Sequence, residues 1–175
     1  MINTNHNPIS LHLVDQKNNN DLTNLYLLMK DEKGMQIRNQ RSIYTPKEFE
    51  AYFLHTTQAD NHFILVSQDD KDIGYFQASL NKQHRLAQIY FTFLWNHEDL
   101  SHAFVSAFNL LTTWLKENHQ IERIALPITG EHTDIQKLLL SNEQIKQSIV
   151  LAQEHLDKDN QRQPVTFYDC FIARE

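Results

Sequence analysis

Ala87-Gln88-Ile89-Tyr90-Phe91-Thr92-Phe93-Leu94-Trp95 runs straight into Asn96-His97-Glu98-Asp99, and then Leu100, Ala103, Phe104, Ala107, Phe108, Leu111, Trp114 and Leu115 recur at steps of three and four. The first part, Arg85–Trp95, is rich in aromatic and β-branched residues, and both of its faces are mostly apolar. That composition fits a strand in the middle of a sheet. The second part predicts a helix over Asn96–Asn118 with one apolar stripe, while Ser106, Asn109, Thr113 and Lys116 lie away from it. Asn96 is placed as its N-cap, with Glu98 and Asp99 at the positive end of the helix dipole. A central strand feeding a long amphipathic helix points to an α/β protein.

Working outward, the residues before this unit read as a hairpin. His62–Ser67 and Asp72–Leu80 are strands joined by the polar turn Gln68-Asp69-Asp70-Lys71, and Asn81-Lys82-Gln83 turns the chain again. Thr45-Pro46-Lys47-Glu48 is a helix start in which Thr45 caps, Pro46 takes the first position and Glu48 reaches back. Phe49, Tyr52 and Phe53 give that helix its buried face. Leu22, Leu25, Tyr26, Leu28 and Met29 predict an earlier helix over Asp21–Lys30. Ile9, Leu11 and Leu13 alternate with polar neighbours as a first strand. Beyond the long helix, Ile121–Pro127 reads as a strand and Asp134–Leu140 as a short helix. Gln147–Leu156 and Val165–Ala173 form a last hairpin across the polar loop Asp157–Gln163. The expected sheet is mixed and mostly antiparallel, with helices on both faces, in one domain spanning residues 1–175.

Composition narrows the function. Of 175 residues, 41% are hydrophobic and 22% charged, the profile of a globular protein. The net charge of −6 repels phosphate, which argues against a nucleic-acid partner. No apolar run reaches the ~18 residues needed to span a bilayer. Met1-Ile2-Asn3-Thr4-Asn5-His6 lacks the basic and apolar regions of a signal peptide, and the lone Cys170 allows no internal disulfide, so a cytoplasmic location is expected. Glycine is scarce. Gly34, Gly74 and Gly130 are the whole complement, against about 12 at average usage, which disfavours a glycine-rich phosphate cradle.

The order strand, two helices, three strands, helix, strand, helix, two strands resembles the GNAT acyltransferase superfamily over nearly the whole chain. Two stretches carry the resemblance. Phe63-Ile64-Leu65-Val66, a polar turn and Asp72-Ile73-Gly74-Tyr75-Phe76 are similar to the family's second and third strands. Ala87-Gln88-Ile89-Tyr90-Phe91 leading to Ala107-Phe108 and Glu122-Arg123-Ile124 is similar to its fourth strand, third helix and fifth strand. The pattern is most like the ribosomal-protein acetyltransferase branch.

That resemblance implies a GNAT-like, acyl-CoA N-acyltransferase fold. It also implies acetyl-CoA or another acyl-CoA as cosubstrate, and a small-molecule or protein amine as acceptor. In the family, pantetheine lies where the fourth strand splays from the fifth, and pyrophosphate sits on a loop patterned R/Q-x-x-G-x-G/A before the third helix. On this chain those positions place Thr92, Phe93, Leu94, Asn96 and His97 as the cofactor-binding candidates. The sequence departs from the pattern at the loop, which has no glycine, reads as shortened, and carries Glu98 and Asp99 where phosphates would lie. Weak acetyl-CoA binding, with a dissociation constant above about 1 mM, is the resulting expectation. The family's acid is a tyrosine on the fourth helix, and Ile135–Leu140 has none. Its base is a glutamate or a water near the fourth strand, where the polar residues here are Gln88 and Thr92. Tyr90 and Tyr168 are possible replacements, so the catalytic residues stay unassigned. Two functions remain open: an acyl-CoA-dependent N-acyltransferase, or an inactive module of the same fold that binds a protein or small ligand through the cleft. A protein partner or a homodimer is compatible with either.

The remaining chemistry-bearing residues read blandly. Among ten histidines, His97 and His102 flank a motif one residue too long for H-E-x-x-H, so their rings would not share a helix face, and no metal is expected. Glu98 and His102, four apart, read as a surface ion pair on the predicted helix. Cys170 lacks a neighbour that would stabilise a thiolate and reads as a buried structural thiol.

Overall fold

The computed structural model describes residues 8–30, 45–57, 60–156 and 161–172. Seven strands form one sheet: β1 (Ser10–Leu13), β2 (Asn61–Gln68), β3 (Lys71–Asn81), β4 (Leu86–Phe93), β5 (Arg123–Thr129), β6 (Ile145–Leu156) and β7 (Arg162–Phe171). Their spatial order is β1-β2-β3-β4-β5-β7-β6, and every pair is antiparallel except β4–β5. Four helices among the described residues cover it: α1 (Asn19–Met29), α2 (Pro46–Thr56), α3 (Leu100–His119) and α4 (Thr133–Leu140). The mixed sheet with helices on both faces is the architecture the sequence predicts. Residues 157–160 of the expected polar loop, and Ala173 at the end of the last strand, lie outside the described residues, as do Gly34 and the segment Met1–His6.

Local chemistry accounts for the joints. Thr45 and Glu48 form the expected capping box, with Pro46 at the start of α2. The β2–β3 hairpin closes through Asp69 and Asp70 with φ of 53° and 59°. A two-residue connection needs that left-handed pair to match the twist of its strands, and aspartate tolerates it better than most residues.

Alternation sorts the side chains onto two cores. Phe76, Ala78, Ala87, Ile89, Phe91, Phe93, Ile124, Leu126 and Tyr168 face α3 and α4, where they meet Phe104, Phe108, Leu111 and Ile135. Phe104 and Phe108 stack at 5.7 Å, and Phe104 also contacts the rings of Phe91 and Phe93. On the other face Phe63, Leu65 and Tyr75 pack with Leu25, Leu28 and Met29 of α1 and with Phe49 and Phe53 of α2.

Several boundaries differ from the expectation. β4 ends at Phe93, not Trp95, and α3 begins at Leu100, not Asn96. Six residues therefore separate strand from helix, and the loop is not shortened. The reason is local: the His97 N–H bonds the Leu94 carbonyl at 3.0 Å, closing a turn, and Asp99 takes φ 60° and ψ 40°, which a helix cannot continue through. Asn96 sits exposed in that turn and caps nothing, and Glu98 precedes the helix, so its helical spacing with His102 does not apply. β5 starts two residues later than expected and runs to Thr129, while β6 starts earlier, at Ile145.

Candidate functional site

β4 and β5 are the only parallel neighbours, and they pair at three positions: Leu86 with Arg123, Ala87 with Ile124, and Gln88 with Ala125. Both strands then continue, β4 to Phe93 and β5 to Thr129, without pairing each other. Each keeps its outer partner, β3 along the whole of β4 and β7 along the whole of β5. The sheet thus opens into a V whose closed end is Gln88 and Ala125.

The backbone groups on the walls of this gap follow from strand alternation. The Leu94 N–H bonds Ile73 of β3, so even-numbered residues of β4 turn their main chain to β3. Ile89, Phe91 and Phe93 then turn theirs toward the gap. On β5 the Arg123 N–H bonds the Arg85 carbonyl and the Gly130 N–H bonds Pro164 on the β7 side, which sets Pro127 toward the gap. Proline has no N–H to offer. In a central strand that would cost a ladder bond, but at this position no strand faces it.

Gly74 holds the far wall. It pairs with Phe93, and a Cβ there would lie 2.6 Å from the Thr92 carbonyl oxygen and 2.8 Å from the Phe93 ring. Only glycine lets β3 approach β4 this closely where the gap is widest.

At that wide end α3 begins without a side-chain cap. Its first helical bond runs from the Ala103 N–H to the Asp99 carbonyl, so the Leu100 and Ser101 N–H groups precede the ladder. Asp99 adopts the left-handed conformation that a glycine supplies without strain. Glu98 and Asp99 are exposed beside this terminus. Next to it, a cleft of about 530 Å³ is lined by Asp69, Lys71, Asp72, Leu94, His97 and His102 among others.

The five candidate residues do not form one constellation. Thr92 is fully buried on the α1/α2 face, paired with Tyr75, and its hydroxyl has no hydrogen-bond partner. Phe93 points the opposite way into the α3 core. Leu94 and His97 are joined by their turn and line the cleft, His97 with a buried Nδ1 that has no partner, and Asn96 lies exposed between them.

Tyr90 and Tyr168 fall on opposite faces. Tyr168 sits in the α3 core, where burial raises its pKa. Tyr90, half-buried on the α1/α2 face, stands just past the closed end of the V and accepts a hydrogen bond from Gln88 Nε2. Burial raises the Tyr90 pKa, and the Gln88 hydrogen bond opposes this in part. Gln88 belongs to a row across the sheet on the same face: Gln88, Ala125, Asp169 and Lys146. Asp169 is buried and binds Arg123 through both oxygens, at 3.1 and 2.9 Å to Nη2 with a third bond from Nε. This Gln88–Tyr90 and Arg123–Asp169 arrangement was not foreseen, although Pro127 inside a strand was a readable signal of an unpaired edge.

Other reactive groups lie elsewhere. Cys170 is buried in the α3 core, and its pKa is pushed up to about 11 by burial and then by the Asp169 charge. His62 and His119, distant in sequence, bring their rings within 5.2 Å of each other beside Trp114. Among the described residues no three His, Cys, Asp or Glu side chains converge as a metal site, and no helix is long and apolar enough to cross a membrane.

Solved structures share this architecture. Spermidine N-acetyltransferase from Vibrio cholerae, in complex with CoA and spermine, superposes with a TM-score of 0.76 at 16% identity, covering 93% of this chain and 95% of that one. The acetyltransferase from Salmonella typhimurium that modifies the N-terminal serine of 50S ribosomal subunit protein L7/L12 gives 0.74 at 14% identity, covering 95% and 96%. A probable acetyltransferase gives 0.72 at 13% identity, covering 96% and 94%. No family model and no curated protein matches the sequence. At these identities the likeness establishes the fold: the chain has the fold of the GNAT acetyltransferases.

Proposed function

We propose that this chain is an acyl-CoA-dependent N-acyltransferase, moving an acyl group from a thioester to an amine. The observation that carries the reading is the V, in which β4 and β5 pair at three positions and then part while both run on. A strand edge of unpaired amides inside a sheet is costly unless something pairs with it. An extended pantetheine arm carries two amides and fits such an edge as a surrogate strand, against the main chain of Ile89, Phe91 and Phe93. From Phe93 back to Gln88 is five steps of strand, about 17 Å. Phosphates near the start of α3 then leave the thioester at the closed end, beside Gln88 and Tyr90. The Leu100 and Ser101 N–H groups supply donors at the positive end of a long helix. Phe93 serves through its main chain. Thr92, Leu94, Asn96 and His97 border the wide end. The CoA bound to the Vibrio cholerae neighbour, and the amines on which both named neighbours act, agree with this reading.

One observation favours the second reading, an inactive module of the same fold. Glu98 and Asp99 stand beside the helix terminus where the phosphates would lie. The loop has its full length, so charge is the obstacle that remains. Calorimetry with acetyl-CoA at low salt separates the two. The enzyme reading expects a dissociation constant below about 1 mM, roughly 4 kcal/mol. Glu98→Gln with Asp99→Asn then strengthens binding roughly 3- to 30-fold, since each charge at a helix terminus is worth about 0.3–1 kcal/mol. Binding weaker than 1 mM in both proteins would favour the inactive module.

A further inference from the structure

Resting on that reading, we infer that the acceptor is an amine of low basicity, such as the α-amine of a peptide or amino acid, and not a polyamine or a lysine side chain. The surface an acceptor meets is the α1/α2 face at the closed end of the V. Among the described residues, β4 presents Gln88, Tyr90 and Thr92 there, and β5 presents Arg123, Ala125, Pro127 and Thr129. Asp169 of β7 is the one carboxylate in this row, and Arg123 takes up both its oxygens. Lys146 of β6 ends the row with a second cation. Tyr90, already accepting from Gln88 in a half-buried setting, keeps its proton at neutral pH. Tyr52 of α2, its neighbour across the face, is also a phenol.

This face has no anion at liberty to draw in a polycation and no base to strip an alkylammonium. Aminolysis needs a neutral nitrogen. Its lone pair attacks the thioester carbonyl carbon, the C–S bond breaks, and the sulfur leaves with a proton shed by the nitrogen, giving an amide and a free thiol. With no base, the acceptor must arrive already neutral. An α-amine with a pKa near 8 is about a quarter to a third neutral at pH 7.5, whereas an alkylamine near 10.4 is neutral about once in 800. The difference is roughly 200-fold, and the Arg123 and Lys146 charges add to it against polyamines.

The test is acetyl transfer from acetyl-CoA, followed by thiol release, to three acceptors: a short peptide with a free N-terminus, an N-acetylated peptide carrying one lysine, and spermidine. At pH 7.5 the free N-terminus should exceed the other two in kcat/KM by about 100-fold or more. Its profile should rise with pH and level off near the pKa of the peptide amine. Spermidine or the lysine peptide within tenfold of it would overturn the inference, as would acetyl-CoA binding with no transfer to any acceptor. Failure of acetyl-CoA to bind at all would instead remove the acyltransferase reading beneath it.

Discussion

Gly74→Ala tests whether the close approach of β3 to β4 builds the wide end of the gap. The added methyl would sit 2.6 Å from the Thr92 carbonyl oxygen and 2.8 and 2.9 Å from two carbons of the Phe93 ring. Carbon contacts are optimal near 3.5–4.0 Å, so all three are hard overlaps. Neither neighbour yields easily. The carbonyl belongs to the backbone of a strand paired along its length with β3, and the Phe93 ring is held by Phe76 at 5.6 Å, Phe104 at 5.7 Å and Phe91 at 6.4 Å. Overpacking of this kind costs about 1–3 kcal/mol, and the main-chain obstacle puts the expectation at the upper end. For a chain of this size, 3 kcal/mol lowers Tm by about 6–12 °C. Urea titration measures the loss directly. Because relief must move the end of β4, acetyl-CoA affinity should fall as well, measured by calorimetry well below the new Tm. A variant within 0.5 kcal/mol of the parent in urea, with unchanged affinity, would refute the claim that this glycine sets the strand spacing.

Other expectations follow from single side chains. Phe108→Ala, which removes a fully buried ring stacked on Phe104, should cost about 3–5 kcal/mol in a denaturant titration, and a loss under 1 kcal/mol would mean that α3 does not seal the core. Cys170 should resist an aromatic disulfide reagent at pH 8 in the native state. Its folded pKa of about 11 lies above the unfolded value of 9.0, so the native state holds the proton longer and stability should decline as pH rises from about 9 to 11. Cys170→Ala should flatten that decline, and an unchanged slope would assign it to other groups.

The helix stripe, the capping box at Thr45 and Glu48, and the strand alternation were legible in the sequence because each repeats a local rule along several residues. The region from Trp95 to Asp99 was not. Asn96, Glu98 and Asp99 form a plausible cap and first turn by residue type, yet the chain uses them to turn through a left-handed Asp99, and nothing local distinguishes the two outcomes. The gap was legible only by resemblance. The row Gln88, Ala125, Asp169 and Lys146 draws on four strands, and Asp169 gains its meaning from Arg123, 46 positions away. Such a row exists only once the strand register is known.

Pro127 gives the gap a consequence during folding. Two neighbouring parallel strands that begin in register should keep zipping, since each new bond is favourable once the strands are aligned. A gap of this kind is therefore in competition with its own closure. By withholding a hydrogen from the facing edge of β5, Pro127 interrupts that zipper two residues beyond its last tooth. A closed sheet would then bury the carbonyls of β4 opposite a ring that cannot answer them. The opening is kept in the fully folded chain by making the alternative fold poorer, and a ligand that enters it need not prise the strands apart.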